Sequence, residues 1–94
     1  MPLYYGKHKV RDYQQWRPYF DGDQERIRSA GAKCLSVMRS TDDPNDVHFL
    51  FDVPDLQKFF SVLQSPETVG IMQQAGVLEQ PKIYRLEELG EPAK

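Results

Sequence analysis

The chain has 94 residues, 39% hydrophobic and 28% charged, which fits a folded globular protein rather than a disordered one. Its formal net charge is −2 and it has no basic stripe, which argues against nucleic acid as a partner. Cys34 is the only cysteine, so no internal disulfide is possible and a reducing, cytoplasmic location is expected.

The start, Met1-Pro2-Leu3-Tyr4-Tyr5, lacks the basic-then-apolar order of a signal peptide, and no apolar run approaches the length of a membrane span. No membrane association is therefore expected. A length of 94 residues predicts one domain, with an ordered core over about residues 3–87 and a polar tail over 88–94.

Leu3 to Val10 reads as a first strand, with Tyr4, Gly6, His8 and Val10 on one face and Tyr5, Lys7 and Lys9 on the other. Lys7, Lys9 and Arg11 are the densest basic cluster, and they read as one solvated side of that strand. Asp12 then has the character of an N-cap, with Gln15 in capping-box position. Tyr13, Trp16, Phe20, Ile27 and Ala30 follow helical spacing. Pro18 and Gly22 interrupt that stripe and predict a kink near residues 18–22. Gly31 supplies a left-handed helix end.

Lys33 to Arg39 reads as the second strand, with Leu35 and Val37 alternating against Ser36 and Met38. Thr41 to Asp46 is dense in turn formers and predicts a hairpin loop. Val47 to Val53 is the clearest strand: Val47, Phe49, Phe51 and Val53 share one face, His48, Leu50 and Asp52 the other. Pro54 and Asp55 open a second helix whose apolar stripe is Leu56, Phe59, Phe60 and Leu63. Ser65-Pro66-Glu67 restarts it, and Val69, Met72 and Ala75 carry it to Gly76. Lys82 to Leu86 is the last strand, after Pro81.

Both helical stretches end on Ala-Gly, at Ala30-Gly31 and Ala75-Gly76, and each lies between two strands. The order βαββαβ predicts a ferredoxin-like α+β fold: a four-stranded antiparallel sheet with both helices on one face. The other sheet face is left bare, and a second copy packed sheet to sheet is the expected cover.

The run His8-Lys9-Val10-x-Asp12-Tyr13-x-x-Trp16, with Ala30-Gly31, Asp42-Asp43-Pro44-Asn45, Ser65-Pro66-Glu67 and Met72-x-x-Ala75-Gly76-Val77, resembles small bacterial proteins of the dimeric α+β barrel superfamily. These are relatives of the antibiotic-biosynthesis monooxygenases, and the resemblance spans roughly residues 4–87. It implies a homodimer through the open sheet face. It further implies a small-molecule-binding protein, with cofactor-independent oxidation of an aromatic substrate as the accompanying activity and no bound cofactor. The scaffold hosts several activities, among them haem degradation and plain ligand binding, so a non-catalytic dimeric interaction or ligand-carrier module is the alternative. Haem-degrading relatives use an asparagine, a tryptophan and a histidine around the cleft. Here the sole asparagine, Asn45, falls in the hairpin loop, which argues against that activity.

His8 is the candidate catalytic base, since imidazole titrates near physiological pH; its other reading is a hydrogen-bonded strand histidine. Trp16, Tyr13, His48 and Tyr84 are the candidate ligand contacts. Trp16 falls equally on the apolar stripe of the first helix, as core. His48 shares a face with Asp52, a carboxylate able to orient its ring; a polar position on a wet face is the plainer account. Tyr84 and Arg39 sit on strands that can edge a cleft or simply form its rim. Cys34 reads as buried and inert. A metal site from His8 and His48 lacks a third ligand, so no metal is expected. An RNA-binding module of the same topology needs a basic residue and glycines around its third-strand aromatics, and Asp46-Val47-His48-Phe49 has neither.

Overall fold

The computed structural model describes residues 2–93. Its elements are β1 (Leu3–Lys9), α1 (Tyr13–Gly22), α2 (Gln24–Ser29), β2 (Lys33–Arg39), β3 (Asp46–Asp52), α3 (Leu56–Leu63), α4 (Pro66–Ala75) and β4 (Lys82–Leu86). The strands form one sheet in the order β2-β3-β1-β4, and every neighbouring pair is antiparallel. This is the expected ferredoxin-like α+β arrangement, with each of the two crossover helices broken into two segments.

The breaks have separate causes. Asp12 caps α1 by accepting from the Gln14 N–H at 2.9 Å. Gln15 does not complete a capping box; its amide turns to Arg11 and to the Gln74 carbonyl instead. Pro18 lies inside α1 without ending it, and the break falls at Asp23, just after Gly22. The second break follows Gln64, where the Ser65 hydroxyl caps α4 and Pro66 occupies its first position. Gly76, at φ 84°, closes α4 in the left-handed region, and Gly31, at φ 79°, follows the end of α2.

Alternation sorts the strands cleanly. Tyr4, His8, Val10, Val47, Phe49, Phe51 and Val53 are buried against Trp16, Ile27, Phe59 and Ala75 of the helices. The opposite face holds Tyr5, Lys7, His48, Leu50, Tyr84 and Leu86. In β2 the simple alternation fails. The register shifts between Cys34 and Ser36, so Cys34 and Val37 sit opposite Phe51 and Phe49 while Leu35 occupies the irregularity, largely exposed. Leu35 therefore does not share a core face with Val37, and Cys34 is half-buried rather than buried.

Asn45 has a structural task. Its side-chain oxygen accepts from the Tyr13 N–H at 2.9 Å, and its carbonyl accepts from the Val10 N–H at 2.9 Å. The β2–β3 hairpin thereby anchors the junction of β1 and α1. The other side of that junction is held by Arg11 N–H donating to the Gly76 carbonyl at 2.8 Å and Leu78 N–H to the Lys9 carbonyl at 2.9 Å. These four bonds set where His8 and Trp16 stand relative to one another.

Candidate ligand site between the helices and the sheet

His8 points to the helix side and is 4% exposed. Its ring meets Trp16 edge-on with centroids 5.7 Å apart, and Phe49 edge-on at 5.2 Å. Neither Nδ1 nor Nε2 has a hydrogen-bond partner. Buried polar atoms are nearly always paired, so two orphaned nitrogens on one ring call for an explanation. Burial in this aromatic setting holds the imidazole pKa down to about 4, outweighing the opposing pull of the Glu79 charge. His8 is thus a neutral ring near neutral pH, with one nitrogen able to donate and one to accept.

A cavity of about 60 Å³ lies beside it. His8, Trp16, Phe20, Phe49, Phe51 and Phe59 make its apolar wall, and Leu63, Ile71, Met72 and Ile83 line it from α3, α4 and β4. Trp16 and Phe20 stack at 4.7 Å, and Phe51 meets Phe59 at 5.5 Å. The space admits water and is smaller than a cavity of about 150 Å³ that binds benzene.

The cavity is almost wholly apolar, with two polar side chains besides His8 among its lining residues. Asp23 and Thr68 line it, and Arg26 joins them. Its guanidinium donates to the Thr68 hydroxyl at 2.8 Å, to the Ser65 hydroxyl at 3.1 Å and to Asp23 at 3.3 Å. Arg26 therefore ties α2 to the first turn of α4, across both helix breaks. Burial raises the Asp23 pKa, against the pull of Arg26.

The sequence-predicted site residues divide between the two sheet faces. His8 and Trp16 come together at the cavity, and Tyr13 packs behind Trp16 at 5.9 Å with the Arg39 guanidinium 4.5 Å over its ring. His48 and Tyr84 stand on the open face, away from the cavity. The carboxylate beside His48 is Asp46, 3.3 Å from Nε2, and not Asp52. Arg26, Thr68 and Asp23 were not legible as site residues, since nothing local ties residue 26 to residue 68. Among the described residues no group of three or more His, Cys, Asp or Glu is placed to hold a metal.

No family model and no curated protein matches the sequence. Solved structures do match in backbone. A candidate antibiotic biosynthesis monooxygenase from Bordetella bronchiseptica superposes with TM-score 0.69 at 13% identity, covering 94% of this chain and 96% of that one. A similarly described protein from Nitrosomonas europaea gives TM-score 0.66 at 14% identity, over 96% of this chain and all of the other. A NIPSNAP domain protein from Burkholderia xenovorans gives 0.67 at 11% identity, covering both chains fully. The chain carries the fold of these proteins. At such identities the shared property is the path of the backbone. No helix among the described residues is long and apolar enough to cross a membrane.

Proposed function

We propose that this protein binds a small, largely apolar aromatic molecule between its helices and its sheet, with His8 as the polar contact. The observation that carries this reading is the buried His8 ring with both nitrogens unpartnered, at the edge of an aromatic cavity. A phenolic or keto group on the ligand completes one of those hydrogen bonds, and the surrounding rings provide the apolar contact. The ligand needs more than the 60 Å³ present, so its entry displaces the half-buried lining residues, of which Met72 is the most adaptable.

Cofactor-independent oxidation of the bound aromatic is the chemistry this reading carries, with His8 as base. A ring whose pKa lies near 4 accepts a phenolic proton only if the phenolate stays beside it as an ion pair. Homodimerisation through the open sheet face belongs to the same proposal, because Tyr5, Leu50, Met38, Tyr84 and Leu86 leave that face partly apolar. The small size of the cavity favours a second reading, a non-catalytic dimeric module.

Titration with phenol and 1-naphthol, followed by isothermal calorimetry and by the imidazole NMR signals of His8, separates the two. Saturable binding that moves the His8 resonances, and that His8→Phe abolishes, supports the ligand site. Absence of binding by both compounds to folded dimer replaces it with the module.

A further inference from the structure

Four residues of the cavity wall, Leu63, Met72, Pro81 and Ile83, also line a groove of about 560 Å³ between α3, α4 and the segment 77–81 that leads into β4. All four are half-buried. The cavity and the groove therefore share a wall one side chain thick. Phe60 and Val77 are half-buried in the groove, while Val69 and Leu78 line it at 43% and 64% exposed. None of these residues belongs to the open sheet face. A second copy stacked on that face leaves them on the other side of the sheet.

The groove is apolar where it meets the cavity and polar elsewhere. Gln64, Gln73 and Gln80 supply uncharged polar groups, and Glu79 is the one charged lining residue. The Glu79 carboxylate accepts from the Lys9 N–H at 3.3 Å, on the residue next to His8, so that part of the groove runs close to the His8 end of β1. The cavity, at about 60 Å³, has no room behind a bound ring. The space that continues it lies beyond the shared wall. Of the four wall side chains Met72 is unbranched and turns about three bonds, whereas Pro81 is rigid. What passes between them has to be slim, and an alkyl chain is the slimmest apolar connector.

We infer that the groove is a tail subsite of the ligand site, and that the ligand class is a phenol or related aromatic ring carrying an unbranched alkyl chain. This rests on the ring-binding reading above. The ring lies against His8 and Trp16, and the chain leaves past Met72 to lie along Phe60, Val69 and Leu78. The chain ends in a neutral methyl group, because Glu79 gives the groove a negative charge that repels an anionic end. Full burial of one methylene tightens binding about fourfold, and a groove that covers one side of the chain gives about twofold.

Phenol and its 4-ethyl, 4-butyl and 4-hexyl derivatives, titrated into the full chain by isothermal calorimetry, test the subsite. A gain of about twofold per methylene is expected, or about fiftyfold from phenol to 4-hexylphenol. Nuclear Overhauser contacts are expected from the ring protons to Trp16 and from the terminal methyl to Val69 and Leu78. Val69→Glu, a charge at an exposed groove position, is expected to cut the phenol-to-hexylphenol gain to less than about threefold. Phenol binding with no further gain for 4-hexylphenol overturns the tail subsite and leaves the ring site standing. Absence of binding by all four compounds removes the ring site and the tail subsite with it. A Val69→Glu protein that is folded by circular dichroism and keeps the full gain overturns the inference. So does a change of oligomeric state in that variant by light scattering, which marks the groove as an interface between copies. If Val69→Glu does not fold, Leu78→Glu is judged by the same criteria.

Discussion

The ring of Phe49 packs against Gly6 on the neighbouring strand, so close that a Cβ on Gly6 would fall 2.2 Å from Cε2 of Phe49. The two residues face each other directly across the β1–β3 pair. Glycine is needed here for space, and the space lets Phe49 fold toward His8 as one wall of the cavity. Gly6→Ala forces that ring aside. Overpacking of this kind costs about 1–3 kcal/mol. The expected result is a lower denaturant midpoint and a changed His8 ring environment by NMR; an unchanged midpoint contradicts the contact.

Trp16 is 2% exposed, stacks on Phe20 and packs against Tyr13 and the edge-on ring of His8. Trp16→Ala removes the largest side chain of the cavity wall, at a cost of about 3–5 kcal/mol. The vacancy has the shape of an indole. Added indole is expected to raise the melting temperature of Trp16→Ala and to leave the native protein unmoved.

His8 makes stability depend on pH. Its folded pKa, about 4, lies below the ordinary value of 6.5, so the unfolded chain takes up a proton that the folded chain refuses. The stability is fully present above pH 6.5 and is lost as pH falls toward 4. At 1.36 kcal/mol per pH unit the loss amounts to about 3 kcal/mol. Urea titrations across that range should show it, and His8→Phe should flatten the profile between those limits.

Arg26 holds α2 to α4 through Thr68, which is 2% exposed, and through the capping Ser65. Arg26→Met leaves the hydroxyls of buried Thr68 and half-buried Ser65 bonded only to each other and to local backbone. The expected loss is about 1–3 kcal/mol, with faster hydrogen exchange in the first turn of α4 as the local sign. Arg26→Lys recovers only part, because one ammonium cannot span the forked contacts. Faster exchange confined to β2 would contradict this role.

Leu50 lies at the centre of the open face, between Tyr5 on β1 and Ser36 on β2. A charge there opposes burial against a second copy. Leu50→Glu is expected to convert a dimer to a folded monomer in light scattering, since a sheet-to-sheet interface of this type buries more than about 1,000 Å². A native protein that is monomeric at micromolar concentration removes the dimer from the proposal.

The strand and helix order was written locally. Val47, Phe49, Phe51 and Val53 alternate without interruption, and Gly31 and Gly76 sit where a chain must turn left-handed to leave a helix. Such signals act over a few residues, so they survive reading one residue after another. The same alternation put His8 with Val10, and the burial of Val10 then carried His8 to the helix side. What alternation leaves open is which partner stands across the sheet. His48 meets Tyr5 across the sheet because ladder register and side-chain lean bring together residues 43 apart in sequence, whereas Asp46, two residues away on the same strand and face, is a local neighbour nearer than Asp52. The irregularity at Leu35 likewise belongs to the pairing of β2 with β3, not to the composition of β2. Arg26 reaches Thr68 only because two broken helices pack side by side, and the cavity beside His8 is the space their packing leaves. Local chemistry determined the elements and their faces; long-range packing decided which polar groups found partners and left both His8 nitrogens without one.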